Sequence, residues 1–239
     1  MQGHRVKDLL RAKDKIIVAL DVASPAEARD LVQQLSSQIG WFKIGLQLFT
    51  AAGPAIVREI KQTGAKVFLD LKLHDIPNTV RHAVRSAREL GADMFTIHLC
   101  GGAEMCRAAV EACSGSSTSL LGVTVLTSQN DQTLAEVGIK ANVAEQALLL
   151  ATLAKATGVS GLIASPHEIS SLRERFGSYF TIVTPGVRPI GADQADQKRV
   201  MTPAQALNAG SDFLVIGRSI TGAADPLAAL NQILAEVGE

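Results

Sequence analysis

The run Asp70-Leu71-Lys72-Leu73-His74-Asp75 places two carboxylates and an ammonium within six residues. Residues two apart on a strand point to one face, so Asp70 and Lys72 are expected to enter the same site side by side. Asp75 follows three residues on, at the start of the next helix. Lys43, in the apolar run Trp41-Phe42-Lys43-Ile44, can join from a neighbouring strand. Two cations alternating with two carboxylates in a partly dry site hold one another charged and fixed. Lys72 is then a positioned ammonium, suited to giving up one proton. An isolated Asp-x-Lys pair is as readily an ion pair that fills a protein interior. Asp21, closing the run Ile16–Leu20, adds a third carboxylate beside Lys43 and turns the reading toward chemistry.

A second group of residues suits a phosphate. Gly217-Arg218-Ser219 follows an apolar run and opens a short helix. Glycine allows close approach, backbone N–H groups face the anion, and Arg218 adds charge. Arg188, in Pro185-Gly186-Val187-Arg188, supplies a second guanidinium. The segment 186–201 is long for a loop and is expected to be a lid, with Gln197 reaching back to a phosphate oxygen on closure. The plainer readings are a solvated helix start and a surface insertion. His98 and Cys100 lack the paired spacing of a zinc site, so His98 is expected as a hydrogen-bonded histidine at a strand end.

The elements that must position these residues are legible as eight short apolar runs: Ile16–Leu20, Trp41–Ile44, Ala65–Leu69, Met94–His98, Leu120–Leu126, Gly161–Ala164, Thr181–Thr184 and Asp212–Ile216. Their spacing leaves room for a helix in each gap, as parallel strands require. Ser24-Pro25-Ala26-Glu27, Ser165-Pro166-His167-Glu168 and Thr202-Pro203-Ala204-Gln205 read as capping boxes with proline at the first helical position. Ala28, Leu31, Val32, Leu35 and Ile39 then share one helical face, as do Val80, Ala83, Val84, Ala87 and Leu90. The strand runs are apolar on both faces, as in a sheet covered by helices. The pattern predicts an α/β fold, a (β/α)8 TIM barrel, with residues 1–239 as one domain. An open doubly wound sheet is the alternative, but the fingerprint G-x-G-x-x-G is absent after the first run. In such a barrel the chemistry lies at the C-terminal strand ends, where Asp21, Lys43, Asp70, Lys72, His98, Thr127, Ser128, Arg188 and Arg218 all fall.

Composition narrows the function classes. Lys+Arg and Asp+Glu both number 23, so no global charge draws the chain to nucleic acid or to an acidic membrane. Three cysteines, Cys100, Cys106 and Cys113, do not make a disulfide framework. Met1 to Lys15 has no apolar core of a signal peptide, and the apolar stretch Val143–Ala164 is broken by Glu145 and Lys155. A reduced, cytoplasmic protein is expected.

The motifs together resemble the orotidine 5′-phosphate decarboxylase family, bacterial type. They are Ala19-Leu20-Asp21, Phe42-Lys43-Ile44-Gly45, Asp70 through Thr79, Thr127-Ser128, Thr184 through Pro189, and Ile216 through Ile220. The likeness covers essentially the whole chain, and the Asp70–Thr79 piece is the most specific. The resemblance implies a nucleotide substrate, with Lys72 as proton donor to C6 of the pyrimidine after CO2 leaves and Asp70 near the substrate carboxylate. It implies that Lys43, Asp70, Lys72 and Asp75 form the charged array, and that Asp21 and Lys43 contact the ribose. Thr127, with Ser128, lies at the pyrimidine end. Arg188, Gln197, Gly217 and Arg218, with Pro185 beside them, hold the phosphate. It further implies a homodimer in which Asp75 and Thr79 serve the partner's site, and no metal or organic cofactor.

Two rivals remain at this level. Magnesium-dependent sugar-phosphate decarboxylases and aldolases of the same barrel group carry a Glu ligand where this chain has Lys43, and a cation there would repel the metal. A non-catalytic phosphoribosyl-binding protein would have no use for a proton donor flanked by carboxylates.

Overall fold

The computed structural model describes residues 11–189 and 201–238. Eight parallel strands close into a barrel in chain order: β1 (Ile16–Ala19), β2 (Trp41–Gly45), β3 (Lys66–Leu73), β4 (Met94–His98), β5 (Ser119–Val123), β6 (Gly161–Ile163), β7 (Thr181–Thr184) and β8 (Phe213–Ile216). Pairing runs from Ile17 opposite Trp41 round to Val18 opposite Ile216, so no sheet edge is left unpaired. The expected (β/α)8 barrel is the observed one.

Alternation along the strands builds two apolar layers. Ile17, Trp41, Phe68, Met94, Leu121, Val183 and others fill the barrel interior. Their neighbours Ile16, Val18, Phe42, Val67 and Phe95 face outward and pack under the helices. Trp41 belongs to the interior, stacked edge-on against Phe213 at 5.6 Å. The helix Pro25–Leu35 buries Ala28, Leu31, Val32 and Leu35, and the helix Pro77–Glu89 buries Val80, Val84 and Ala87, the faces read from the sequence.

Ion pairs at the start of the strands tie the barrel together below the site. Arg173 donates to the carbonyls of Gly210 and Phe180, just ahead of β8 and β7, and pairs with Asp212. Asp93, ahead of β4, accepts from Lys61 and from the Val67 backbone.

Six strands match the expected runs to within one residue; β3 and β5 differ more. β3 continues four residues past Leu69, because its polar residues line a barrel mouth instead of ending the strand. β5 stops at Val123, three residues early. There the Thr124 hydroxyl and backbone N–H both donate to the Ile163 carbonyl, at 3.0 and 3.3 Å. Of the three capping boxes, Thr202 and Gln205 make both reciprocal bonds. At Ser24 only the hydroxyl half is made. At Ser165 a 3-10 turn forms instead, in which Glu168 returns to the Ser165 N–H while the Glu168 N–H goes to the Ser165 carbonyl.

Candidate active site

The C-terminal strand ends enclose a cavity of about 600 Å³. Four side chains from the ends of β1, β2 and β3 form a line of alternating charge along one side. Asp21 Oδ1 accepts from Lys43 Nζ at 2.8 Å. The same ammonium lies 3.8 Å from Asp70 Oδ2, which accepts from Lys72 Nζ at 2.8 Å. Lys43 is only 7% exposed and Asp70 only 9%. Ionised groups this deep persist only when their desolvation is offset by partners, and each inner member here has an opposite charge on both sides. The order is therefore Asp21, Lys43, Asp70, Lys72, carboxylate and ammonium in turn.

The backbone that delivers Lys72 is not a regular strand. From Leu69 opposite Phe95 to Leu73 opposite Ile97, β3 advances four residues while β4 advances two, so β3 carries a bulge. Lys72 within it has φ of 50°, the only non-glycine residue with positive φ among the described residues. That conformation costs an L-residue roughly 1–2 kcal/mol, and persists only when its surroundings over-determine it. Three bonds do so: the Lys72 N–H donates to Thr96 Oγ1 at 2.8 Å, that hydroxyl donates to Asp70 Oδ1 at 3.0 Å, and the Lys72 ammonium closes on Asp70 Oδ2. The expected alternation survives, since Leu71 and Leu73 pack outward while Asp70 and Lys72 line the cavity. Its cause is the bulge and not the two-residue period of a regular strand.

Gly45 makes room for the line of charge. A Cβ there would sit 2.8 Å from both Asp21 Oδ1 and Lys43 Nζ. Gly45→Ala is expected to push the pair apart and lower kcat/KM about 100-fold, the scale of a misplacement near 1 Å, with little change in melting temperature. Steady-state kinetics beside a thermal melt check this, and unchanged kinetics would show that the pair can shift freely.

The same cavity is lined by the residues read as holding the phosphate and facing the pyrimidine. Pro185, Arg188, Gly217, Arg218, Thr127 and Ser128 all line it, as the sequence suggested. The helix Arg218–Thr221 follows Gly217 directly. The Arg188 N–H donates to the Met201 carbonyl at 3.0 Å, joining the two ends of the long segment that follows β7. Gln197 lies outside the described residues.

Asp75 and Thr79 are exposed and do not line the cavity. Asp75 accepts from the Ile76 N–H at 2.6 Å and makes no ion pair among the described residues. Within this chain the line carries Asp21 at its Lys43 end. His98 also departs from expectation, because its Nδ1 is buried with no hydrogen-bond partner among the described residues. Its ring stacks on His74 at 5.5 Å. Burial, then the nearby His74 and Lys72, push the His98 imidazole below its ordinary range, which favours the neutral ring. Cys106 is buried in the helix Gly102–Cys113, and burial pushes its thiol up and away from reactivity.

The sequence reading missed Thr96 and Ser165. Thr96 is fully buried, and Ser165 Oγ is a buried atom without a hydrogen-bond partner among the described residues, in a residue that lines the cavity. The only local signal for Thr96 was a polar residue at the inward position of an apolar strand. Ser165 was assigned wholly to helix capping.

The comparisons with known proteins agree in one direction. A sequence model of the orotidine 5′-phosphate decarboxylase / HUMPS family matches residues 14–233. Orotidine 5′-phosphate decarboxylase of Moorella thermoacetica is 52% identical over 236 residues, covering 95% of this chain and 94% of that one. The Geobacter sulfurreducens protein of the same name is 50% identical over 232 residues, covering 95% and 97%. Among solved structures, the orotidine 5′-phosphate decarboxylase of Lactobacillus acidophilus superposes with a TM-score of 0.82 at 37% identity, covering 95% of this chain and all of that one.

Proposed function

The chain belongs to the orotidine 5′-phosphate decarboxylase / HUMPS family, and from that premise we propose that it is a carboxy-lyase converting orotidine 5′-phosphate to uridine 5′-phosphate. This is the last step of de novo pyrimidine nucleotide synthesis, and a cytoplasmic setting fits it. The observation that carries the proposal is the line Asp21–Lys43–Asp70–Lys72 in a cavity that Arg188 and Arg218 also line.

In this reading the two arginines and the backbone around Gly217 hold the phosphate, with Gln197 and Pro185 completing that end. Asp21 and Lys43 meet the ribose, and Thr127 and Ser128 meet the pyrimidine. The C6–carboxylate bond then breaks and its electron pair stays on C6. The Lys72 ammonium faces that developing charge and stabilises it more than the starting state. Its proton passes to C6 as CO2 departs, and solvent restores the proton to Lys72. Asp70 fixes the ammonium and stands near the substrate carboxylate. The phosphate lies far from the breaking bond, so its binding energy serves to hold the ring in place.

Lys43 separates this reaction from a magnesium-assisted enediolate in the same barrel group. Its ammonium already lies between the Asp21 and Asp70 carboxylates, the ligands a divalent ion would need. A homodimer completes the proposal. Asp75 and Thr79 are exposed beside Ile76, itself 66% exposed, and are free to enter a second copy's cavity.

The test is spectroscopic. Adding orotidine 5′-phosphate to the purified protein is expected to give the absorbance loss of decarboxylation at the same rate with and without EDTA. A strict requirement for Mg²⁺ would overturn the role given to Lys43, and no turnover at all would favour a binding protein.

A further inference from the structure

We propose that Thr96 is a positioning residue for the decarboxylation: its hydroxyl, bridging the Lys72 backbone and the Asp70 carboxylate, sets the bulge that aims the Lys72 ammonium. The inference rests on the decarboxylase reading and assigns a function to a side chain which that reading leaves out.

Between Leu69 and Leu73, β3 leaves its ladder with β4, and Thr96 is the one β4 residue between their partners Phe95 and Ile97. The Lys72 N–H is therefore turned away from an ordinary strand carbonyl. A buried or half-buried N–H left unpaired costs about 1–3 kcal/mol, so it needs an acceptor. Thr96 Oγ1 supplies one at 2.8 Å. A hydroxyl has one proton, and here it goes to Asp70 Oδ1 at 3.0 Å. Both capacities are thus committed, and their directions are coupled. The acceptor side holds the backbone of Lys72 in its left-handed conformation. The donor side fixes the rotation of the Asp70 carboxylate, leaving Oδ2 to meet the ammonium.

Thr96 is fully buried and does not itself line the cavity. Its effect on chemistry must therefore run through Lys72 and Asp70. Valine has nearly the same shape but neither bond. With valine at this place the bulge loses its acceptor, the carboxylate gains freedom to rotate, and the ammonium is no longer held to one position. Serine keeps both bonds and loses only a methyl.

The experiment compares Thr96→Val and Thr96→Ser with the wild-type protein in steady-state turnover of orotidine 5′-phosphate, with uridine 5′-phosphate binding and a thermal melt alongside. Thr96→Val is expected to lower kcat about 100-fold, while KM and product affinity stay within about threefold, because the loss is one of alignment and not of binding. Thr96→Ser is expected to recover kcat to within about fivefold of wild type, since both hydrogen bonds return. A Thr96→Val protein at wild-type kcat overturns the inference, as does serine failing to rescue. If Thr96→Val does not fold, Thr96→Ser against Thr96→Ala decides: serine must exceed alanine at least about tenfold in kcat, and equal values overturn the inference. A wild-type chain without turnover overturns the decarboxylase reading, and this inference with it; normal wild-type turnover with an indifferent Thr96 overturns this inference alone.

Discussion

Lys72→Ala is expected to lower kcat for orotidine 5′-phosphate by at least about 10⁴-fold, since one substitution removes both the proton donor and the charge facing the carbanion. Uridine 5′-phosphate should still bind within about tenfold of wild type, because it carries no C6 charge for the ammonium to meet. Both the phosphate wall around Arg188 and Arg218 and the Asp21–Lys43 pair remain in this variant. The remaining carboxylate of Asp70 keeps Thr96 at 3.0 Å and Lys43 at 3.8 Å, so the fold is expected to hold. The strain at residue 72 is small beside total stability and alanine does not add to it. A loss confined to the chemical step identifies an interaction made in the transition state. Turnover by Lys72→Ala within tenfold of wild type would remove Lys72 from the mechanism.

Two inactive variants are expected to restore activity when combined. If Asp75 reaches the partner's cavity, Asp75→Ala and Lys72→Ala each disable every site of their own homodimers. In a heterodimer one site lacks both groups, and the other has wild-type Lys72 from one chain and wild-type Asp75 from its partner. An equimolar mixture, unfolded and refolded together, should then regain about a quarter of wild-type activity, since half the dimers are mixed and half of their sites are intact. Activity measured against mixing ratio is the readout, with sizing chromatography to follow association. No recovery would return Asp75 to its own chain's site or to no site. The expectation grows from placement: Asp75 and Thr79 flank an exposed Ile76 and lie away from the cavity of their own chain.

Much of this molecule was readable without coordinates. The barrel follows from eight apolar runs with room for helices between them, and six strands fall within one residue of those runs. The charged and anion-seeking residues at strand ends follow from residue type and spacing; of those that fall on described residues, most line a single cavity. Such signals are local. Strand alternation, helical periodicity and capping act over a few residues, so a linear string holds them. Even there, competition from side-chain hydrogen bonds altered details, as Glu168 made a 3-10 turn after Ser165.

What only the tertiary structure decided concerns contacts between residues far apart in the chain. Asp21 joins the charged line beside Lys43 because β1 pairs with β2 and sets Ala19 beside Lys43. Gly45 must lack a side chain because that pair fills the space above it. Lys72 is left-handed because β3 outruns β4, and Thr96 holds it there across 26 residues of sequence from Asp70. Spacing along one strand put Asp70 and Lys72 on one face, where the structure brings them by a bulge instead. It could not show the bulge between them, because a bulge is a property of two strands in register and is written in neither alone.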